Sequence, residues 1–326
     1  MKNKFNLGLI AEIKEDSNHP SSPVKSKDWK YFFDFFRGNG DVALFDWKSV
    51  DENFNVNEYL VGNKDSFEVV KGQEDIRNLC DIVYIGQLGK IHQNKNKFMT
   101  FLDTLKNFPG QVVNPIETIK GNLSKGYLLE LQDKGISVIP TLDVDKAYSL
   151  NDLRNMEFPN WSKSIDDLVL KPKVFGEQGS GVIRLSEIAD QKELNNYLKA
   201  NGETIAQPLI NDIYTRGENS FIFTGREFSH GLNKITGNFK INLCESSKYS
   251  PRLPTKKEMD LCQSVFDVWP TNFGYVRMDI IPSENPLIGE VEMVNPAGYL
   301  SEVNAFEKYS TNLNKRLNEV YEGKWK

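Results

Sequence analysis

The chain reads Gly274-Tyr-Val-Arg277-Met-Asp279 near its end, followed by Gly289-Glu290-Val-Glu292-Met-Val-Asn295-Pro296. In both stretches the charged side chains stand two positions apart, so they share one face of an extended strand. Residues 282–289 supply proline, serine, asparagine and glycine, which predicts that the two strands form a hairpin. Such a hairpin brings three carboxylates together beside an arginine.

Clustered carboxylates raise one another's pKa unless a cation lies among them. Carboxylate oxygens are the hard ligands that Mg²⁺ prefers, and Mg²⁺ in enzymes usually arrives with nucleotide phosphates. Asp279, Glu290 and Glu292 are therefore candidate metal ligands. On these residues alone, a solvated acidic hairpin without a metal fits the sequence equally well.

A second informative stretch runs Asp167-Leu-Val-Leu-Lys171-Pro172-Lys173-Val-Phe-Gly176-Glu-Gln-Gly179-Ser180-Gly181-Val182. Lys171 follows apolar strand residues, and an ammonium buried there needs an anionic partner or a route to solvent. The glycine-rich turn lets backbone N–H groups approach phosphate oxygens with no side chain between them. It is not a P-loop, because the lysine precedes the glycines and the context is strand–loop–strand. Together with the acidic hairpin it favours a nucleotide site, in which Lys173 competes with Lys171 for the phosphate.

Further motifs lie between and upstream of these two stretches. They are Asn114-Pro115 with Lys125, Ala206-Gln207-Pro208-Leu209-Ile210, Gly217-Glu218, and Phe223-Thr-Gly-Arg-Glu-Phe-Ser229-His230-Gly-Leu-Asn-Lys234…Gly237-Asn-Phe-Lys240. In this order the motifs resemble the ATP-grasp superfamily, in the branch of glutathione synthetase and the ribosomal-protein glutamate ligases. The likeness covers about residues 110–300 and is greatest for ligases of the cycloserine-synthetase type.

The resemblance implies an α/β fold with α+β character in the ATP-grasp part. We expect an N-terminal parallel-sheet domain over 1–110, a central ATP-grasp subdomain over 111–203 and a C-terminal subdomain over 204–326. The residues themselves support the first domain, because strand-like and helix-like stretches alternate there as they do in βαβ units.

The same resemblance implies an ATP-dependent carboxylate–amine ligase. It would form an amide or peptide-like bond through an acyl phosphate and release ADP and phosphate. Two other classes stay open from the sequence. One is an ATP-grasp phosphotransferase that acts on a small hydroxyl substrate, and the other is a nucleotide-binding protein without turnover.

The resemblance also assigns site roles. The phosphates of ATP would be held by Lys125, Lys171 and a loop with Gly176, Gly179, Ser180 and Gly181. The base and ribose would contact Gln207, Pro208, Leu209, Ile210, Asp212 and Glu218. Mg²⁺, with Mn²⁺ as an alternative, would bind Asp279, Glu290, Glu292 and Asn295. Arg277 would stabilise the acyl phosphate, and Lys240 stands where the family has an arginine, to which lysine is not equivalent.

Composition agrees with a soluble cytoplasmic enzyme. The 326 residues carry a net charge of −5, which argues against a nucleic-acid partner. Three cysteines without a C-x-x-C spacing indicate a reducing compartment and no zinc site. The apolar residues near the N-terminus are too few for a membrane span. The expected partners are therefore a small carboxylate and a small amine, and a homodimer is compatible with the sequence.

Overall fold

The computed structural model describes residues 5–11, 35–36, 42–62, 67–86, 88, 91–144, 147–158, 161, 165–174, 180–235, 248–269, 273–294 and 296–324. Four residues with expected site roles lie outside this part of the chain: Gly176, Gly179, Lys240 and Asn295. Within it, the strands form three sheets, and α-helices connect or cover them.

The first sheet occupies the N-terminal third. Its elements are β1 (Leu7–Ala11), β2 (Val42–Asp46), β3 (Asn55–Gly62), β4 (Phe67–Asp75), β5 (Ile82–Ile85), helix α1 (Lys95–Leu105) and β6 (Gln111–Val113). The strand order is β4-β3-β2-β1-β5-β6. The pairs β1–β2 and β1–β5 are parallel, as predicted, and β6 adds a further parallel pair with β5. Strands β3 and β4 extend the sheet as an antiparallel hairpin that was not predicted from the sequence.

The second sheet follows two short helices. The elements are α2 (Ile116–Asn122), α3 (Tyr127–Asp133), β7 (Leu142–Val144), α4 (Leu150–Arg154), β8 (Leu168–Pro172), β9 (Ile183–Arg184), α5 (Gln191–Asn201) and β10 (Thr204–Pro208). The order is β7-β10-β8-β9, and each pair is antiparallel. Apolar side chains bury β8 except at Lys171, where the strand is half-buried. The chain thus carries a lysine into a packed sheet, as predicted.

The third sheet contains the acidic hairpin. Its part of the chain comprises α6 (Asp212–Arg216), β11 (Glu218–Thr224), β12 (Glu227–Ile235), β13 (Lys248–Pro251), α7 (Lys256–Val268), β14 (Tyr275–Ile281), β15 (Leu287–Glu292) and α8 (Phe306–Tyr321). The order is β13-β12-β11-β14-β15, antiparallel throughout. The final helix α8 buries Leu313 and Leu317 in a core that also holds Leu9 of the first sheet and Ile222 of the third.

The mixed α/β fold class with its α+β part is confirmed. The three domain ranges stay predictions, and β10, which begins at Thr204, pairs with β7 and β8 of the second sheet. No helix among the described residues is both long and apolar enough to cross a membrane.

The outer edge of β15 is closed by side chains from α2 and α3. The Asn122 amide donates to the carbonyl of Val291 at 2.8 Å and accepts from the N–H of Met293 at 2.7 Å. The Val291 N–H donates to the Tyr127 hydroxyl at 3.0 Å. An edge strand otherwise presents unpaired backbone groups. Because Val291 stands between Glu290 and Glu292, these contacts fix the strand that carries both carboxylates.

We expect Asn122→Ala to lower the free energy of unfolding by roughly 2 kcal/mol or more, because it leaves two buried backbone groups unpaired. Urea denaturation measures the change. Asn155→Ala is the matched control, since that exposed amide, directly after α4, donates to the carbonyl of Asn151 and to no other group in the described part of the chain. Equal losses in the two variants would mean that the β15 edge does not depend on Asn122.

Candidate active site

The predicted hairpin is present, and its register aligns the charged residues. Arg277 on β14 lies opposite Glu292 on β15, and Asp279 lies opposite Glu290. The register shifts after Asp279, so that Ile280 pairs with Ile288. Directly opposed residues point to the same face of a sheet. The three carboxylates and the arginine therefore share one face.

Arg277 is the cation at the centre of this face. Its Nη2 lies 3.0 Å from an Asp279 oxygen, 2.9 Å from Glu292 and 3.7 Å from Glu290. The side chain is 5% exposed. Burial alone would lower the pKa of Arg277, but the charges of Asp279 and Glu292 outweigh it and hold the pKa above its usual range. One guanidinium thus balances carboxylates on both strands.

Two further cations enter the cluster from other elements. Lys125, between α2 and α3, forms an ion pair with Glu290. Lys234 on β12 lies 2.5 Å from Glu218 and 3.6 Å from Asp279. Burial alone would lower the pKa of Lys234, but Asp279 and Glu218 raise it. The ammonium of Lys234 therefore stays charged although the side chain is buried.

The four carboxylates differ in electrostatic environment. Burial alone would raise the pKa of Asp279, yet Arg277 and Lys234 hold it below its usual value. The pKa of Glu290 is likewise lowered, because Lys125 and Arg277 outweigh burial. Burial raises the pKa of Glu292 and of Glu218, although each has a cation in contact. Asp279 and Glu290 are thus the more firmly ionised pair.

The structure distinguishes Lys171 from Lys173. Lys173 is neutralised by Asp143 at 2.7 Å, with Glu203 at 3.9 Å. Lys171 forms no ion pair within the described part of the chain, and burial together with the charge of Lys125 lowers its pKa. A half-buried lysine of this kind favours an anionic ligand.

Gln207 on β10 shares the sheet face of Lys171. It pairs in register with Val169, two positions from Lys171 on β8. The side chain is 1% exposed, and its Nε2 donates to Thr141 at 2.9 Å. Its Oε1 is buried and has no hydrogen-bond partner among the residues that the structure describes. A buried acceptor without a partner favours a ligand that donates a hydrogen bond there.

No family model and no curated protein matches the chain. Among solved structures, D-cycloserine synthetase DcsG superposes with a TM-score of 0.68 at 18% identity, covering 95% of this chain and 99% of that one. The ATP-grasp ligase PsnB, complexed with a minimal precursor, gives 0.58 at 14% identity with 96% and 98% coverage.

D-alanine–D-alanine ligase from Bacillus anthracis, complexed with ATP, also superposes with a TM-score of 0.58, at 13% identity and with 98% and 99% coverage. All three similar structures extend over nearly the whole chain. The chain has the ATP-grasp fold. At these identities the likeness shows the fold alone. The similar structures include a cycloserine synthetase, which is the type of ligase that the motifs resemble most.

In this ATP-grasp fold other expected site residues lie in the turn before β9, directly after β10 and at the start of α6. Gly181 has a φ of 73°, and its carbonyl accepts a hydrogen bond from the Tyr197 hydroxyl at 2.7 Å. Ser180 is exposed, and Asp212 is the half-buried first residue of α6. Leu209 donates its N–H to the Asp167 carbonyl at 2.8 Å, so this N–H is already paired.

Three side chains in the cluster have no site role predicted from the sequence. Ser220 donates to Asp279, and Lys234 contacts Glu218 and Asp279. Tyr299 places its ring 5.5 Å from the Lys234 ammonium and 5.9 Å from the Arg277 guanidinium. Lys234 stands in a quoted motif, whereas Ser220 is signalled only by the register of β11 with β14.

The carboxylate oxygens suit a hard divalent cation, but each carboxylate contacts a lysine or arginine side chain. No group of three acidic, histidine or cysteine side chains among the described residues has the arrangement of a metal site. Glu290 and Glu292 keep 29% and 25% of their side chains exposed, whereas Asp279 keeps 3%. The oxygen donors therefore fit Mg²⁺ in chemistry, and the two glutamates are the accessible ones.

Proposed function

We propose that this protein is an ATP-dependent carboxylate–amine ligase that works through an acyl phosphate. One observation supports this more than any other: four cations and four carboxylates from the second and third sheets, and from the turn between α2 and α3, meet around one site. They are Lys125, Lys171, Lys234, Arg277, Glu218, Asp279, Glu290 and Glu292. The fold, which is that of known amide-forming ligases, supports the same reaction class.

In this proposal the lysines hold the nucleotide. Lys171 and Lys125 contact the phosphates. Lys171 has no anionic partner in the described structure, and the nearby charge of Lys125 lowers its pKa, so an anion between the two lysines would stabilise both. Gln207 accepts a hydrogen bond from the amino group of adenine through its unpaired Oε1. Guanine presents an acceptor at that position, so the site should prefer ATP to GTP.

Two displacement steps make the bond. An oxygen of the substrate carboxylate attacks the γ-phosphorus, the bond to the bridging oxygen breaks, and ADP leaves. The amine nitrogen then attacks the acyl carbon, phosphate leaves, and the amine loses a proton. Arg277 faces the site with several N–H donors and stabilises the negative charge of the acyl phosphate and of the tetrahedral oxyanion. No covalent protein nucleophile is required.

Mg²⁺ would be held by Glu290 and Glu292, with Asp279 behind them and Asn295 as a further ligand. Lys240, at the position of the family arginine, would be a second catalytic residue beside Arg277. When bound, such an ion neutralises phosphate charge in the transition state. The similar D-alanine–D-alanine ligase structure is a complex with ATP, and a structure of PsnB contains Mg and ADP, which supports this choice of ligands.

A screen for ADP release tests the proposal. Purified protein with MgATP is mixed with a panel of amino acids and small carboxylates, each with and without small amines. A ligase releases ADP fastest when both substrates are present and forms a new amide. ADP release that depends on a hydroxyl compound and needs no carboxylate would identify a phosphotransferase instead.

We expect Lys171→Ala to weaken ATP binding by about 1.5–3 kcal/mol, the range of a charge-assisted hydrogen bond. Calorimetric titration with a non-hydrolysable ATP analogue measures the change. Lys173→Ala is the control, because its ammonium is already neutralised by Asp143 and Glu203. A larger loss in Lys173→Ala than in Lys171→Ala would reverse the assignment.

A further inference from the structure

The ion pair between Lys125 and Glu290 joins two groups that the proposed function gives to different ligands. Lys125 is assigned to the nucleotide phosphates and Glu290 to the metal ion. In the structure Lys125 contacts Glu290 and no second carboxylate in the described part of the chain. Neither group is therefore available to its ligand while the pair persists.

Backbone contacts hold the two partners close together. The N–H of Lys125 donates to the carbonyl of Lys173 at 2.6 Å, which ties it to the end of β8. Asn122 and Tyr127, on either side of Lys125, bind the backbone at Val291, next to Glu290. The segment cannot drift away from β15 without losing these bonds, so the pair opens by movement of side chains.

Resting on the proposed function, we propose that Glu290 makes the site selective for metal-bound ATP over metal-free ATP. Metal-free ATP must take Lys125 from Glu290 and leaves that carboxylate with only the 3.7 Å contact to Arg277 among its described ion pairs. The added negative charge of the nucleotide beside it is costly in a partly buried site. With metal-bound ATP, Lys125 gains a phosphate while Glu290 gains a cation. Both groups then remain paired.

Glu292 provides an internal comparison. It stands on the same strand face as Glu290 and is exposed to a similar extent, 25% against 29%. Its cation is Arg277 at 2.9 Å, and it makes no ion pair with Lys125 in the described structure. Glu292→Gln removes the same charge from the same surface but leaves Lys125 bound to Glu290.

The test is calorimetric titration of a non-hydrolysable ATP analogue, once in EDTA and once in excess Mg²⁺. It uses wild type, Glu290→Gln, Glu292→Gln, Lys125→Met and the double variant Lys125→Met/Glu290→Gln. We expect Glu290→Gln to bind the metal-free analogue about ten-fold more tightly than wild type, because Lys125 is released for the phosphate. Glu292→Gln should gain much less, and Glu290→Gln should gain nothing in the Lys125→Met background.

A second arm uses the reciprocity of coupled binding. Lys125→Met frees Glu290, so we expect this variant to bind Mn²⁺ more tightly than wild type in the absence of nucleotide, as measured by electron paramagnetic resonance. Equal gains in Glu290→Gln and Glu292→Gln, or an unchanged Mn²⁺ affinity in Lys125→Met, would overturn the selectivity role. A wild-type protein that binds neither form of ATP would instead overturn the proposed function itself.

Discussion

Arg277→Lys is expected to reduce turnover by about 10²–10³-fold, the effect of losing a preorganised donor to a developing oxyanion. Arg277 contacts Asp279, Glu292 and Glu290 at once. A single ammonium cannot reproduce this fork and also face the acyl phosphate. Affinity for ATP should change little, because Lys125 and Lys171 hold the phosphates. Steady-state kinetics combined with calorimetry separates the two effects.

Arg226→Lys is the control for this change. Arg226 pairs with Asp267 at 3.3 Å on the surface, where more than half of each side chain is exposed. The same replacement there should leave turnover unchanged. Unchanged turnover in Arg277→Lys as well would remove Arg277 from the chemistry.

The second large effect concerns the carboxylates. We expect Asp279→Asn, Glu290→Gln and Glu292→Gln each to lower turnover by about 10³-fold or more, because a metal ion supplies several kcal/mol of charge stabilisation. If turnover is normal in all three variants, the hairpin is only a charged surface. That interpretation was left open by the sequence.

Two of these variants, Asp279→Asn and Glu292→Gln, should also differ from each other in stability. The pKa of Asp279 is lowered in the folded state, so its charge stabilises the fold above the unfolded pKa, and this contribution is lost as the pH falls through the folded pKa. The pKa of Glu292 is raised, so its charge opposes folding at neutral pH. Thermal melts at pH 7 should show Asp279→Asn as strongly destabilised and Glu292→Gln as unchanged or stabilised.

The hairpin could be predicted because its signals are local. The two-residue spacing of Arg277 and Asp279 fixes their common face, and the turn residues that follow place Glu290 and Glu292 opposite them. The lysine in β8 is local in the same way, since apolar neighbours on both sides define a buried strand. The start of helix α7 is also marked by a local signal, because Thr255 and Glu258 form a capping box.

Strands β3 and β4 were missed because their pattern is weak. Strand β3 alternates imperfectly, with exposed residues beside buried ones, and β4 contains Val69 at 50% exposure. An edge hairpin of this kind buries only part of one face, so hydrophobic periodicity does not reveal it. The parallel strands β1, β2 and β5 are buried almost completely and are easily recognised.

The rest of the site depends on contacts between distant parts of the chain. The choice between Lys171 and Lys173 is decided by Asp143 and Glu203, which approach only when β7, β10 and β8 assemble side by side in that order. The contact of Lys125 with Glu290 spans 165 positions. Ser220 reaches Asp279 because β11 lies beside β14 in one particular register. The spacing of residues in the sequence does not show which distant strands pair or in which register they pair.

The most direct test of the acyl-phosphate mechanism is to identify the products formed when hydroxylamine replaces the amine. The reaction contains MgATP, hydroxylamine and whichever carboxylate stimulates ADP release, with Arg277→Lys as the blank. We expect ADP, phosphate and the hydroxamate of that carboxylate, in equal amounts, from wild type and far less from the variant. AMP with pyrophosphate, or ADP release without any hydroxamate, would contradict the mechanism proposed for this site.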